Sequence, residues 1–146
     1  MNYNWDWSIL VTEPYLGWLV AGLGWTIAVS ILAWILAFSL GSLLGIMRTT
    51  SLPILRGIGT LYVEIFRNIP LLVQFFLWYF VFPEVVPHDW GMWLKREMPM
   101  PEFTTAIIAL GLYTASRVCE QVRSGIESIG VGQVSAARAL GLTEWQ

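Results

Sequence analysis

Charge is what this sequence has least of. Asp, Glu, Lys and Arg make up 12% of its 146 residues, against about 25% in ordinary soluble domains. Between Glu13 and Arg48 there are none. The net charge of -2, with no cluster of Lys or Arg, excludes the usual electrostatic footprint of a nucleic-acid or anionic-lipid partner. Cysteine is nearly absent too. The single Cys119 cannot close an intramolecular disulfide, and with no second Cys or nearby His it makes no metal site. It is expected to be a packed structural thiol. The one histidine, His88, lies in a polar, Pro-flanked stretch and is expected to be solvated. No basic residue precedes the first apolar stretch and no A-x-A site follows it, so that stretch is not expected to be a cleaved targeting segment.

What remains is apolar: 56% hydrophobic residues, nine Trp and a mean hydropathy of +0.63. These values predict an all-α integral membrane protein. A crossing needs roughly 20 apolar residues, and the first span is placed at 19–47, after an external segment at 1–18. Gly41 and Gly45 form a G-x-x-x-G pair. Two readings of it are open, a close helix contact and the ordinary abundance of Gly in membrane helices. The second span is placed at 58–83. Its sixteen uncharged residues from Asn68 to Pro83 are too few alone, so Glu64, Arg67 and Pro70 fall near its cytoplasmic end. Glu64 and Arg67 share a helix face and are expected either to pair or to act as end anchors. Residues 84–102 are polar and Pro-rich, with Trp90 and Trp93 suited to a membrane surface. The third span, 103–119, continues as a helix beyond the membrane, because Val118, Val122, Ile126 and Ile129 keep the helical period while charge returns. Arg48, Arg56, Arg67, Arg117, Arg123 and Arg138 all fall on one side of this arrangement. The positive-inside rule then puts the N-terminus and the 84–102 loop outside and the closing segment in the cytoplasm.

That closing segment, about 130–146, is "VGQVSAARALGLTEWQ" after Gly130. Gln133, Ala136, Ala137 and Leu140 recur at helical spacing and give one small, apolar face. Gly141 suits a left-handed helix cap. Thr143 and Gln146 have capping-box spacing and open a further helix. Two short helices joined at a glycine predict a projecting docking knob, and the chain is expected to continue past Gln146.

"SAARALG" resembles the E-A-A-x-x-x-G motif of the permease subunits of ATP-binding-cassette (ABC) importers, with Ala136, Ala137 and Gly141 in register and Ser135 at the usual Glu position. "GLGWTIAVS" resembles the opening of the first core helix in the family's polar amino acid branch. "EIFRNIPLLVQFF" resembles its E-x-x-R-G-T-P-L-L-V-Q signature, with Asn68 and Ile69 replacing Gly and Thr, and Glu120, Arg123, Gly125 and Ile126 match its A-E-x-x-R-G-G-I run. "FRNIPLLVQFF" with "SRVCEQVRSGI" is similar to the glutamate/aspartate permeases within that branch. The resemblance implies a multi-span helical bundle of the type I ABC importer permease (MetI-like) kind, in the bacterial inner membrane, whose I-x-L-P half-motif and two further spans lie downstream. It implies as partners a cytoplasmic ABC ATPase dimer, a second permease subunit and a periplasmic amino-acid-binding protein. No cofactor and no catalysis by this subunit are implied, ATP being hydrolysed by the ATPase. ATPase coupling would fall to Ala136, Ala137, Leu140, Gly141 and Leu142.

Gating or substrate-pathway roles are expected at Arg67, Pro70, Gln74, Arg117 and Glu120. An acidic substrate needs cations and donors along its path, which Arg117 and Gln74 could supply. Arg117 reads equally as positive-inside charge, and Gln74 as a helix–helix hydrogen bond. A small channel or a non-transporting assembly subunit is the competing reading, although a channel would need polar faces on at least two spans. The first offers only Thr26, Ser30, Ser39 and Ser42. No His/Glu, Ser-Lys or Cys-His arrangement within the spans supports an intramembrane enzyme.

Overall fold

The computed structural model describes residues 6–141, and those residues are helical throughout, joined by short turns. A 3-10 turn, Trp7–Val11, is capped by Asp6, whose carboxylate accepts from the Ser8 amide at 3.0 Å. Helix α1 (Tyr15–Thr49) begins four residues earlier than the sequence suggests. It is followed by α2 (Pro53–Asn68), α3 (Leu71–Phe76), a π turn over Leu77–Val81, α4 (Phe82–Val85), α5 (His88–Arg96), α6 (Pro101–Glu127) and α7 (Val131–Ala139). Pro53 and Pro101 each stand in the first turn of their helix, where a missing N–H costs nothing.

Among the described residues, α1 is long and apolar enough to cross a membrane unaided. Trp18, Leu23, Trp34 and Phe38 are all exposed on it, an apolar surface far larger than a soluble domain displays. The second segment is not the continuous helix expected over 58–83. Pro70 has no N–H and forces Ile69 out of helical geometry to ψ 122°. The chain therefore turns by 101° between α2 and the run Leu71–Val85, and the two are long and apolar enough for a crossing only when taken together as this bent pair. The polar 84–102 stretch carries a short amphipathic helix, α5, with Trp90 and Trp93 exposed.

The dominant contact is α1 along α6, with α2 against both. It is a backbone-close contact. A Cβ at Gly41 would lie 2.6 Å from Val118 Cβ and 2.7 Å from the Ala115 carbonyl oxygen, and one at Gly45 would lie 2.7 Å from Val122 Cβ. Gly111 on α6 accommodates Leu36 in the same way. Of the two readings of the G-x-x-x-G pair, the close contact is the one realised. Ala33, Ala37, Ala109, Ala115, Ser116 and Cys119 are buried along this seam, and Cys119 is the packed thiol expected, fully buried beside Leu44 and Val63. Tyr62 brings α2 in by donating its hydroxyl to the Leu112 carbonyl at 2.7 Å.

Such a seam has no room to relax. Gly45→Leu should destabilise the protein by about 1–3 kcal/mol or more, read as a lower midpoint in an SDS titration followed by circular dichroism. Gly24→Leu, where an added Cβ meets nothing within 4 Å, is the neutral control.

Candidate functional site

The small, apolar face expected on the closing helix is uncovered. Helix α7 follows α6 after a three-residue turn held by the Ser128 amide on the Ser124 carbonyl (3.0 Å) and the Gln133 amide on the Gly130 carbonyl (2.9 Å). Gln133, Ala136 and Leu140 are exposed, Leu140 at 81%, and Ala137 is half-buried. No helix packs along α7 among the described residues. The helix ends as predicted: Gly141 takes φ +79° and its amide returns to the Arg138 carbonyl at 3.0 Å. An L-residue there would be strained, which explains the glycine. Leu142 and the capping-box pair Thr143 and Gln146 lie outside the described residues.

The expected gating residues separate into three situations. Pro70 makes the α2–α3 break, and Gln74, one turn into α3, closes it. Gln74 is 2% exposed, and its Nε2 donates to the carbonyls of Phe66 (2.8 Å) and Ile69 (3.0 Å). These are carbonyls that a helix end leaves without partners. Its Oε1 is buried with no hydrogen-bond partner. Of the two roles expected for Gln74, the structural one takes the amide donors.

Arg117 is exposed on α6, its guanidinium 4.9 Å above the Tyr113 ring and donating to the Tyr113 hydroxyl. Arg67 is exposed at the C-terminal end of α2. The local pair expected between Glu64 and Arg67 does not form. The ion pairs among the described residues are instead Arg48–Glu120, Arg123–Glu120, Arg123–Glu127 and Lys95–Glu84. Helix spacing brought Glu64 and Arg67 to neighbouring turns, but two long exposed side chains gain too little from pairing to be held there.

Glu120 is where the charges converge. One oxygen accepts from Arg48 at the end of α1, and the other from Arg123 at 3.0 and 3.2 Å. Arg123 continues to Glu127 at 2.6 Å. The hydrogen bond from Arg48, aided by Arg123, holds the Glu120 carboxyl below the ordinary carboxylate range. Its contribution to stability is therefore complete at neutral pH and is lost only as the pH falls through that lowered value. Sequence reasoning counted Arg48 only as inside-positive charge. A usable signal was present: Gly41, Gly45 and Arg48 stand at i, i+4 and i+7, so the arginine belongs to the same face as the packing glycines.

With this geometry in place, comparison with known proteins gives the class. A model of the family "binding-protein-dependent transport system inner membrane component" matches residues 37–146. The chain belongs to that family, and its fold is the MetI-like ABC permease fold. It is 50% identical over 98% of its length to the glutamate/aspartate import permease protein GltJ of Escherichia coli K12, and 33% identical over 99% to GltK of E. coli O6:H1. It is 36% identical over 81% of its length to a probable glutamine ABC transporter permease, GlnM, of Bacillus subtilis. It spans 61%, 62% and 50% of these relatives. A crystal structure of an amino acid ABC transporter with histidines superposes with a TM-score of 0.75 at 28% identity, covering 97% of this chain and 60% of that one.

Replacing the Gln74 amide tests its role at the break. Gln74→Met leaves the Phe66 and Ile69 carbonyls without their donor and should cost about 1–3 kcal/mol in the same SDS titration. Gln74→Glu, which brings an acceptor against two carbonyls, should cost more.

Proposed function

We propose that this chain acts as a permease subunit of an ATP-driven importer of polar amino acids, with glutamate and aspartate as its substrates. The observation that carries the reading is the bare small-residue face of α7, ending in a left-handed glycine and standing beyond a seam where Gly41, Gly45 and Gly111 are filled by neighbouring helices. The relatives' names supply the substrate class, and two of them name glutamate and aspartate. The partners are an ABC ATPase dimer that receives α7 in the cytoplasm, a second permease subunit and a periplasmic binding protein. The N-terminus and the α5 loop lie outside the inner membrane, in line with the distribution of Arg.

In this mechanism the subunit makes and breaks no covalent bond. ATP binding changes the separation of the ATPase halves, and α7 moves with the surface it sits on. Two access states exchange because the ATPase binds them unequally, the only way a ligand shifts an equilibrium. Ala136 and Ala137 allow close approach, Leu140 supplies an apolar anchor, Gly141 sets the turn that follows, and Leu142 is assigned to the same coupling segment. Pro70 gives the second span its break, and Arg67 lies beside it. On the pathway side, Arg117 is the exposed cation of α6 and the candidate contact for a substrate carboxylate, with Tyr113 holding its guanidinium.

The test is ATPase activity of the reconstituted complex with liganded binding protein. Gly141→Asp places a strained, charged residue at the docking turn and should abolish stimulation while the complex stays assembled. Unchanged stimulation would reject the coupling role and leave the assembly-subunit reading. Ion conductance without ATP would favour the channel.

A further inference from the structure

We infer that Arg48 is a positioning residue that clamps the C-terminal end of α6, and α7 with it, to α1 and α2, so that a displacement of α7 moves the three helices as one body. The inference rests on the coupling reading above and adds the route by which motion leaves α7.

Arg48 is held by three helices at once. From the last turn of α1 its guanidinium pairs with Glu120 on α6, 72 residues away in sequence, and the two side chains are only 13% and 24% exposed. Its aliphatic stem lies against α2 where that helix offers bare backbone. A Cβ at Gly59 would lie 2.5 Å from Arg48 Cγ and 3.1 Å from the Leu44 carbonyl oxygen. Glu120 then passes the restraint along its own helix through Arg123 to Glu127, the last residue of α6. Four residues later α7 begins.

The placement matters mechanically. Packing between α1 and α6 is tight through Cys119 and Val122, but beyond them Ile126 and Ile129 are exposed. A helix end that carries a load beyond its packed section bends at the last fixed point. The Arg48–Glu120 pair, which a rigid guanidinium fork orients well, reinforces α6 two residues before that point, between the Cys119 and Val122 contacts. Partial burial protects it from the screening that weakens surface pairs.

The closing experiment measures amino acid imported per ATP hydrolysed by the full-length complex in proteoliposomes, for Arg48→Met, Glu120→Gln and the double variant, with Gly141→Asp alongside. Each single change should lower import per ATP by about fivefold or more, the lower end of ordinary coupling free energies. The double variant should do no worse than the worse single, because both remove one interaction. A general loss of stability would reduce the amount of assembled complex without changing this ratio. Unchanged import per ATP in Glu120→Gln, or additive losses in the double variant, would overturn the clamp. If Arg48→Met does not assemble, the near-isosteric Glu120→Gln decides alone. Loss of stimulation in Gly141→Asp together with full import per ATP in Glu120→Gln would reject the clamp and keep the coupling reading. Retained stimulation in Gly141→Asp would reject both.

Discussion

The distance at which α1 runs beside α6 governs the rest of the structure. Inside a bilayer the lipid tails are as apolar as the side chains, so two helices gain little from hydrophobic burial and must gain from close contact instead. Gly41, Gly45 and Gly111 provide it, each at a point where a single added carbon would overlap a neighbour. Because the axes come this close, Cys119 is sealed completely against Leu44 and Val63 and the end of α1 falls within reach of Glu120. The Tyr62 hydroxyl reaching the Leu112 carbonyl fixes the third helix on the same seam. A wider seam would leave the ion pair out of range and the thiol open.

The second constraint is the break at Ile69–Pro70. A proline inside a helix removes a donor and clashes with the preceding turn, and a break there leaves the last carbonyls of α2 without intrahelical partners. Gln74 resolves this locally, since its two amide hydrogens serve two of those carbonyls. The chain can therefore turn by 101° at this point without leaving these two carbonyls bare. The seam holds α1 and α6 in a fixed relation. The break lets the segment from Leu71 onward take its own direction across α6, through the π turn, to α5.

Much of this was legible in the residues. A charge-free run of that length leaves α1 little alternative to a long apolar helix, and the glycine after Leu140 took the left-handed cap that its position suggests. The continuous helix α6, running from the apolar section into the charged one, followed from apolar spacing. Two things were not legible. Pro70 was visible, but a proline permits anything from a mild kink to a right-angle turn, and only the partners available to the freed carbonyls decide which. Which of the two readings holds at Glu64 and Arg67, a local pair or end anchors, was also not legible, because spacing within one helix says who is near but not who is buried. Arg48 and Glu120 pair because a third party, the glycine seam, brings two helices together.

The two kinds of small-residue surface in this chain differ in one respect that bears on function. Along the C-terminal half of α1, Gly41 and Gly45 are occupied, so their lack of side chain is converted into contact. On α7 Ala136 is exposed, Ala137 is half-buried, and Leu140 stands beside them, 81% exposed. Leaving such a face bare costs little, since two alanines and one leucine expose a small apolar area. A larger apolar face would favour permanent association. In the coupling role proposed for α7, the contact would form and shift with each cycle, and this compromise suits it: backbone-close approach for position, one leucine for affinity. A moving partner would then be held without being trapped, provided the base of α7 does not yield, and the charges converging on Glu120 stand at that base.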